Sequence, residues 1–325
     1  MTRAPAAAAR NTSAAVAEPH NRKEAMIAIE LHPADCKAVV TIDGQLFTEY
    51  RYGHYVCRPY FYPVLTPSGT GLTRAYPMEG VEGENQDHYH HRGIYTAHGL
   101  VNGHNLWDEG TGHGAMLQRG EPVVGAADGA AQIDGIVDWF GPEGEKLLEE
   151  RRTIAIRAEG ALRIIDQRSE FRARYGDVTF GDTKEGGLFS IRVPTSMDAK
   201  VAGRIENSAG QAFENGQGEE VTWGQQAAWV DYSGPVADGT EWGHTVVDHR
   251  GNPRHPTYWH VRGYGLFTAN PFGVHDFKGD ENIDESLTIP GGDQAVFRYR
   301  LIIHPGRSVD GHPDVRQLIE QFQAG

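Results

Sequence analysis

Short runs of alternating apolar and polar residues, separated by turn sequences, recur along this chain and constrain its fold more than any other feature. Asp43-Gly44 separates two such runs, 38–42 and 45–52, and Asp-Gly in that position is typical of a tight β-hairpin. The run 162–174 has one mostly apolar face and one charged face, as in a sheet with one solvated side. Further strands are predicted at 58–65, 133–140, 146–157 and 295–303. The pattern predicts antiparallel sheets.

The composition agrees with a β-rich fold that ends in a short helix. The 325 residues include 41 Gly, 17 Pro, 13 Tyr, 12 Phe and 6 Trp, and this abundance of turn formers and rings is unlike a helical bundle. Only residues 313–322 predict a helix, since their apolar positions recur at spacings of three and four. We predict a flexible leader over residues 1–25 and a single all-β domain over 26–325, built from two packed antiparallel sheets. A barrel or two β-lobes is the alternative.

The charge balance and the two cysteines exclude several classes of protein. Lys plus Arg number 30 and Asp plus Glu number 44, so the net charge is −14, which argues against binding nucleic acid or an anionic membrane. No apolar run approaches the roughly 20 residues that span a bilayer. Cys36 and Cys57 are too few for a disulfide framework or a thiolate zinc site. The first 25 residues lack the apolar core of a signal peptide, so we expect a cytoplasmic protein.

Histidine is the most informative residue type for function. Of the 16 histidines, most fall in two windows, 88–113 and 244–275. In the first window, His88 and His90 would point the same way on an extended backbone, which suits two ligands of a divalent metal or an acid and a base. His91 would then face away from them. His98 lies in a predicted buried strand, where a core histidine is the alternative.

Other polar and aromatic residues surround these windows and are candidates for substrate binding. Arg92 carries a planar fork that suits carboxylates or sugar hydroxyls, and Trp107 with Asn102 resembles a sugar platform. Lys184-Glu185 precedes two glycines that permit close approach of a ligand, although a surface ion pair is the alternative. Asp231 follows Trp229 in a further aromatic and acidic group, and His260 enters a strand in the second window.

Several motifs together resemble one bacterial family, which is labelled "methane oxygenase PmoA". They are Arg58-Pro59-Tyr60-Phe61-Tyr62-Pro63 and the blocks 72–78, 87–93, 182–187, 229–234, 252–256 and 269–273. The resemblance covers about residues 58–306. One departure is Tyr89, where the family pattern has a proline between the histidines.

The resemblance implies a protein of sugar catabolism rather than a methane-oxidising subunit, because the latter would require membrane spans that this chain lacks. It further implies the β-supersandwich of galactose mutarotase-like proteins. The family resemblance and the pattern of side chains place Trp259 and Asn270 among the substrate-binding candidates.

These observations predict a carbohydrate-active hydrolase or lyase that binds a small carbohydrate and acts on a glycoside or an oxidised (3-keto) sugar by hydrolysis, elimination or epimerisation. The catalytic candidates are His90, His91, Glu185, Asp231 and His260, with Arg92 and Lys184 stabilising negative charge. We expect His90, His91 and His260 to share one cleft and activity to fall below about pH 6. The alternatives are a non-catalytic carbohydrate-binding module and a cupin-like metal-dependent oxygenase.

Overall fold

The computed structural model describes residues 25–216 and 221–325, so the leader predicted over residues 1–25 lies, except for Ala25, outside the described residues. Within those ranges the elements are, in chain order, β1 (Ile27–His32), β2 (Lys37–Ile42), β3 (Gln45–Arg51), β4 (Tyr60–Val64), β5 (Ile94–His98), β6 (Ala115–Gln118), β7 (Val123–Ala127), β8 (Ala130–Phe140), β9 (Lys146–Glu159), β10 (Leu162–Arg172), β11 (Val178–Phe180), β12 (Gly186–Arg192), β13 (Arg204–Asn207), β14 (Ala212–Glu214), β15 (Trp229–Pro235), β16 (Glu241–Asp248), β17 (Trp259–Val261), β18 (Leu266–Ala269), α1 (Val274–Lys278), β19 (Leu287–Ile289), β20 (Gln294–Pro305) and α2 (Pro313–Ala324). Short 3-10 turns lie at Pro33–Asp35, Thr195–Met197 and Val309–Gly311.

Two large antiparallel sheets contain most of these strands. The first has the order β1-β2-β3-β4-β5-β12-β18-β17, and the second has the order β14-β13-β15-β16-β20-β10-β9-β8-β6, with β7 also paired to β8. Strands β11 and β19 form a separate pair. The inner faces of the two sheets share one hydrophobic core, in which Phe189 of β12 contacts Tyr299 of β20. The predicted all-β antiparallel sandwich with a short C-terminal helix is confirmed.

Local turn chemistry explains the hairpin that joins β2 to β3. Asp43 and Gly44 both have positive φ angles, 52° and 77°, as the two-residue hairpin turn with the twist of the flanking strands requires. The first sheet has β1 at its edge, beside this hairpin, and continues from the hairpin through β4 and β5 toward the strands that carry the site.

Side chains alternate between the two faces of the first sheet and thereby define an outer face. Thr96 of β5 accepts a hydrogen bond from Gln167 of β10, so Thr96 faces the second sheet and its neighbour Tyr95 faces outward. Directly paired residues share a face. The pairings therefore place one outward residue from each of five adjacent strands in a transverse row, which we call the outer row: Tyr60, Tyr95, Ser190, Thr268 and His260.

Helix α2 covers part of the outer face of the second sheet. Its residues Val315, Leu318 and Ile319 are buried against Val247 and Ile302, which explains the apolar spacing seen in the sequence. No helix of the described residues is long and apolar enough to cross a bilayer.

Candidate functional site

A turn immediately before β5 gathers three histidines at one end of the outer row. His88 has a φ of 49°, and the His91 amide donates to the His88 carbonyl at 2.9 Å. The expectation of an extended backbone here is therefore wrong. Gly93 ends the turn with a φ of 51°, where a Cβ would lie 2.0 Å from the Phe61 carbonyl oxygen, so the turn packs directly on β4.

The turn brings the imidazoles into mutual contact. The ring of His91 stacks on that of His88 at a centroid distance of 4.9 Å and meets the edge of His90 at 4.3 Å. Trp107 lies beside both His90 and His91, at 5.9 and 5.3 Å. Trp107 is only 1% exposed, so it is part of the wall of the site rather than an open stacking platform.

Buried arginines complete this cluster. The Arg58 guanidinium lies over the Tyr95 ring at 5.3 Å and donates to the Trp107 carbonyl oxygen at 2.6 Å. Arg192, at the end of β12, donates to Nδ1 of His91 at 2.9 Å and to Asp87 at 2.6 Å. We refer to Arg58, His90, His91, Tyr95, Trp107 and Arg192 together as the histidine–arginine cluster.

The partners of His91 determine which of its ring nitrogens carries the proton. A guanidinium only donates hydrogen bonds, so Nδ1 of His91 accepts from Arg192 and the neutral ring has its proton on Nε2. Burial, with the nearby charge of Arg192, holds the pKa of His91 well below its ordinary value. His91 is therefore a neutral hydrogen-bond donor at pH 7.

His90 is also neutral, but unlike His91 it has a carboxylate beside it. Burial lowers its pKa to about 4; Asp108 opposes this shift and Arg58 adds to it. An Asp108 carboxylate oxygen lies 3.3 Å from His90 Nδ1, and this negative charge favours a proton on Nδ1. Nε2 of His90 is then the basic nitrogen.

Several polar atoms of the cluster are buried without a hydrogen-bond partner in the described parts of the chain. They are Nε and Nη1 of Arg58, Nδ1 of His90, Nε2 of His91, Oη of Tyr95, Nε1 of Trp107 and Nε of Arg192. Leaving such groups unpaired costs about 1–3 kcal/mol each, and native proteins keep few of them. Their concentration here makes the cluster the candidate ligand site of the described residues.

His260 occupies the other end of the outer row. Its Nδ1 donates to the Lys184 carbonyl oxygen at 2.6 Å, which leaves Nε2, buried and unpartnered among the described residues, as the acceptor. Burial lowers the pKa of His260 to about 4. Three strand spacings separate it from Tyr95, which corresponds to about 14 Å. His260 thus shares the face but is too far away to act on the same atom as His91.

Aromatic and cationic side chains connect the two ends of this face. Tyr264 stacks on His88 at 5.2 Å, and Arg262 lies over both Tyr264 and Trp223 at 5.6 Å. Trp223 in turn meets the edge of His260 at 6.2 Å. Lys184 lies near that end, and its Nζ is 3.6 Å from the half-exposed Glu185 carboxylate.

Arg92 has a structural partner that the sequence did not reveal. Its guanidinium donates to both carboxylate oxygens of Glu109, at 2.7 to 3.1 Å, and it lies over the Tyr60 ring. Glu109 is buried, so this pair ties the loop carrying Trp107 to the turn carrying His91. Arg92 therefore positions the loop and is not free to bind substrate through its fork.

Asp231 does not belong to this site. It lies on β15 of the second sheet, where its carboxylate accepts from His304 at 2.9 Å and from Thr245 at 2.8 Å. Its pairing places it on the outer face of that sheet, because its neighbour Tyr232 contacts Phe267 across the core. It therefore cannot act together with His90 or His91 as predicted, since the whole sandwich separates it from them.

Three predicted substrate-binding residues make hydrogen bonds within the fold. Trp259 is fully buried on the inner face and donates to the Ala227 carbonyl oxygen. The Asn270 amide donates to the carbonyl oxygens of Thr183 and Lys184. Asn102 binds the backbone of Asp177 and Thr179 beside β11. These residues hold loops in place.

His98 and the proposed metal pair can also be placed. His98 faces the core, where Nε2 contacts the Gly181 carbonyl oxygen at 2.8 Å, in agreement with the core alternative. The rings of His88 and His90 are 5.9 Å apart and nearly perpendicular. No group of three or more His, Cys, Asp or Glu residues suited to hold a metal ion occurs in the described part of the chain.

A cavity of about 470 Å³ lies beside β4, away from the cluster. Tyr62, Val81, Glu84 and Thr195 are among the residues that line it, and no histidine does. Because it offers no neutral base, the histidine–arginine cluster is the better candidate for chemistry.

The fold and the cluster define an all-β sandwich protein that carries neutral histidines and buried arginines on the outer face of one sheet. The chain belongs to the DUF6807 family, a family of unknown function, whose model matches residues 37–314. A search of curated proteins gave no match. One similar solved structure is that of the Slr1438 protein from Synechocystis sp. PCC 6803, with 8% identity, 90% of this chain and 100% of that chain covered, and a TM-score of 0.32. A score that low supports no conclusion about this site.

Proposed function

We propose that this protein is a carbohydrate-active enzyme, a hydrolase or lyase that acts on a glycoside or an oxidised sugar by acid–base chemistry. The observation that carries the proposal is the pair His90 and His91, two neutral imidazoles in ring contact whose partners favour opposite tautomers. Nε2 of His90 accepts a proton from the substrate, and Nε2 of His91 donates a hydrogen bond that stabilises the negative charge which develops as that proton leaves. Proton abstraction needs a base and a hydrogen-bond donor of this kind on the same substrate.

Other features of the face support an enzyme rather than a binding module. A binding module would present open aromatic rings for sugar stacking, whereas Trp107 and Trp259 are both buried. A module that binds sugars by ring stacking does not require buried, unpaired polar atoms beside neutral bases, whereas an active site does. The resemblance of the sequence motifs to a family linked with sugar catabolism points to the same class of substrate.

The test is product release from a panel of native and 3-keto glycosides. We expect His90→Ala and His91→Ala each to lower kcat/KM by about 100-fold or more, the usual contribution of a general acid or base. His104→Ala is the matched control, because His104 belongs to the same sequence window but pairs with Glu145 outside the cluster. Its turnover should equal that of the wild type.

Two results would contradict the proposal. If both cluster variants retained full turnover, the acid–base assignment would be wrong. If no member of the panel were turned over while sugars still bound, the protein would be a carbohydrate-binding module.

A further inference from the structure

The unpaired atoms of the histidine–arginine cluster are almost all hydrogen-bond donors. Nε and Nη1 of Arg58, Nε2 of His91 and Nε1 of Trp107 can only donate, and the Tyr95 hydroxyl can do so. The four side chains are at most 3% exposed and in contact: the Trp107 ring lies 5.3 Å from that of His91 and 5.5 Å from that of Tyr95, whose ring Arg58 covers. A set of donors without acceptors matches a ligand group that only accepts.

The charge of Arg58 strengthens this match. Its nearest carboxylate, Glu109, lies 3.7 Å from Nε and is already engaged through both oxygens by Arg92. One carboxylate therefore serves two guanidinium groups. Burial lowers the pKa of Arg58, which reflects the cost of holding this cation away from water. A neutral sugar hydroxyl does not compensate a buried positive charge, whereas a carboxylate does.

Resting on the proposed function, we propose that Arg58, His91, Tyr95 and Trp107 form a subsite for the carboxylate of an acidic sugar. The substrate class is then a uronic or aldonic acid, or a glycoside that contains one. Arg58 supplies the charge, and the three neutral donors complete the coordination of the two oxygens. His90, in contact with His91 and Trp107, is placed beside the carbon that bears this group.

The first experiment measures binding by calorimetry with the full chain. The ligands are glucuronate and gluconate, with glucose and the methyl ester of glucuronate as neutral controls of similar shape. We expect the acids to bind at least tenfold more tightly than the ester and glucose. Equal affinity for acid and ester would overturn the subsite.

The second experiment uses the mildest variant that the cluster offers. Tyr95→Phe removes only a buried hydroxyl that has no partner among the described residues, so we expect the ligand-free protein to melt at the same or a higher temperature. Its affinity for glucuronate should fall about tenfold. A variant that loses stability but retains affinity would show that Tyr95 has a structural role only.

Arg58→Met tests the charge itself, with Arg163→Met as the matched control. Arg163 is also buried but donates to the carbonyl oxygens of Gly160 and Leu162 in the second sheet. We expect glucuronate affinity to fall about 100-fold in Arg58→Met and to stay unchanged in Arg163→Met. Should Arg58→Met fail to fold, Tyr95→Phe still decides the question.

The outcomes separate this subsite from the proposed activity. Selective acid binding without turnover of any glycoside would support the subsite and contradict the enzyme. Turnover of neutral 3-keto glycosides that needs His90 but not Arg58 would support the enzyme and contradict the subsite, because the donors would then serve a carbonyl oxygen.

Discussion

Burial keeps several histidines of this protein uncharged at neutral pH. Burial lowers the pKa to about 4 in four of them, which lie in the core, on the outer face of the first sheet, or in the second sheet: His90, His98, His244 and His260. In the unfolded chain the pKa of each of these histidines returns to about 6.5. Acid therefore favours the unfolded state, which binds the additional protons.

We expect the free energy of unfolding to fall as the pH drops from about 6.5 toward 4. A single group with these two pKa values loses about 2 kcal/mol at pH 5 relative to pH 8. Urea unfolding at pH 8, 6.5 and 5 measures the change. In His98→Gln the free energy of unfolding should depend less steeply on pH, because one of the titrating groups is missing. A free energy that does not change between pH 8 and 5 would contradict the lowered pKa values.

The same burial moves the expected loss of activity to a lower pH. The sequence predicted a loss below about pH 6 from the ordinary histidine pKa, but His90 has a pKa of about 4. Residue type could be read from the sequence, and His90, His91 and Trp107 do lie in the cluster. Their burial could not be read from the sequence, because it depends on Arg58 and Arg192, which come from distant segments of the chain.

At the scale of single elements, local chemistry determined what could be predicted. The β2–β3 hairpin follows from Asp43-Gly44, and α2 follows from its apolar spacing, because each depends on neighbouring residues alone. The turn at His88 does not follow from neighbouring residues alone, because the packing of Gly93 on β4 and the contact of His91 with Arg192 hold it in place. Those contacts link residues about 30 and 100 positions apart.

Gly187 is the position in β12 where the sheet least tolerates a side chain. A Cβ there would lie 1.3 Å from Thr268 Oγ1 and 2.7 Å from Ser190 Oγ, two hydroxyls of the outer row. We expect Gly187→Ala to lower the free energy of unfolding by at least about 2 kcal/mol. Denaturant unfolding measures it.

The control for this substitution is Gly125→Ala in β7. A Cβ there meets nothing within 4 Å, so stability should be unchanged or slightly higher. Equal effects at the two positions would show that the space around Gly187 is not limiting.

At the scale of the whole molecule, the order of strands decides which residues meet. Strands β5, β12, β18 and β17 are neighbours in one sheet although they come from distant parts of the chain, and this brings both histidine windows to one face. The sequence suggested such a meeting but could not assign faces. Asp231, which resembled a partner for His90, belongs to the opposite side.

Asp231→Ala should therefore separate folding from function. Breaking the buried pair with His304 leaves that imidazole without its carboxylate, and we expect a loss of about 3 kcal/mol in unfolding free energy. Turnover per folded molecule should stay at the wild-type value. Glu185→Gln is the opposite case, because Glu185 is half-exposed on the site face, and it should weaken turnover with little effect on unfolding. A turnover defect in folded Asp231→Ala would contradict its placement.

The outer row has a consequence for the length of any ligand that lies along it. Its five residues come from five adjacent strands, and backbone hydrogen bonds fix the strand spacing at about 4.8 Å. Distances along the row are therefore multiples of that spacing, and a ligand that touches both Tyr95 and His260 must span about 14 Å. A ligand one spacing shorter loses His260 altogether. We therefore expect the affinity for ligands of increasing length to change in steps of one strand spacing, whereas substitutions in the row change what is recognised at each step and leave the spacing unchanged.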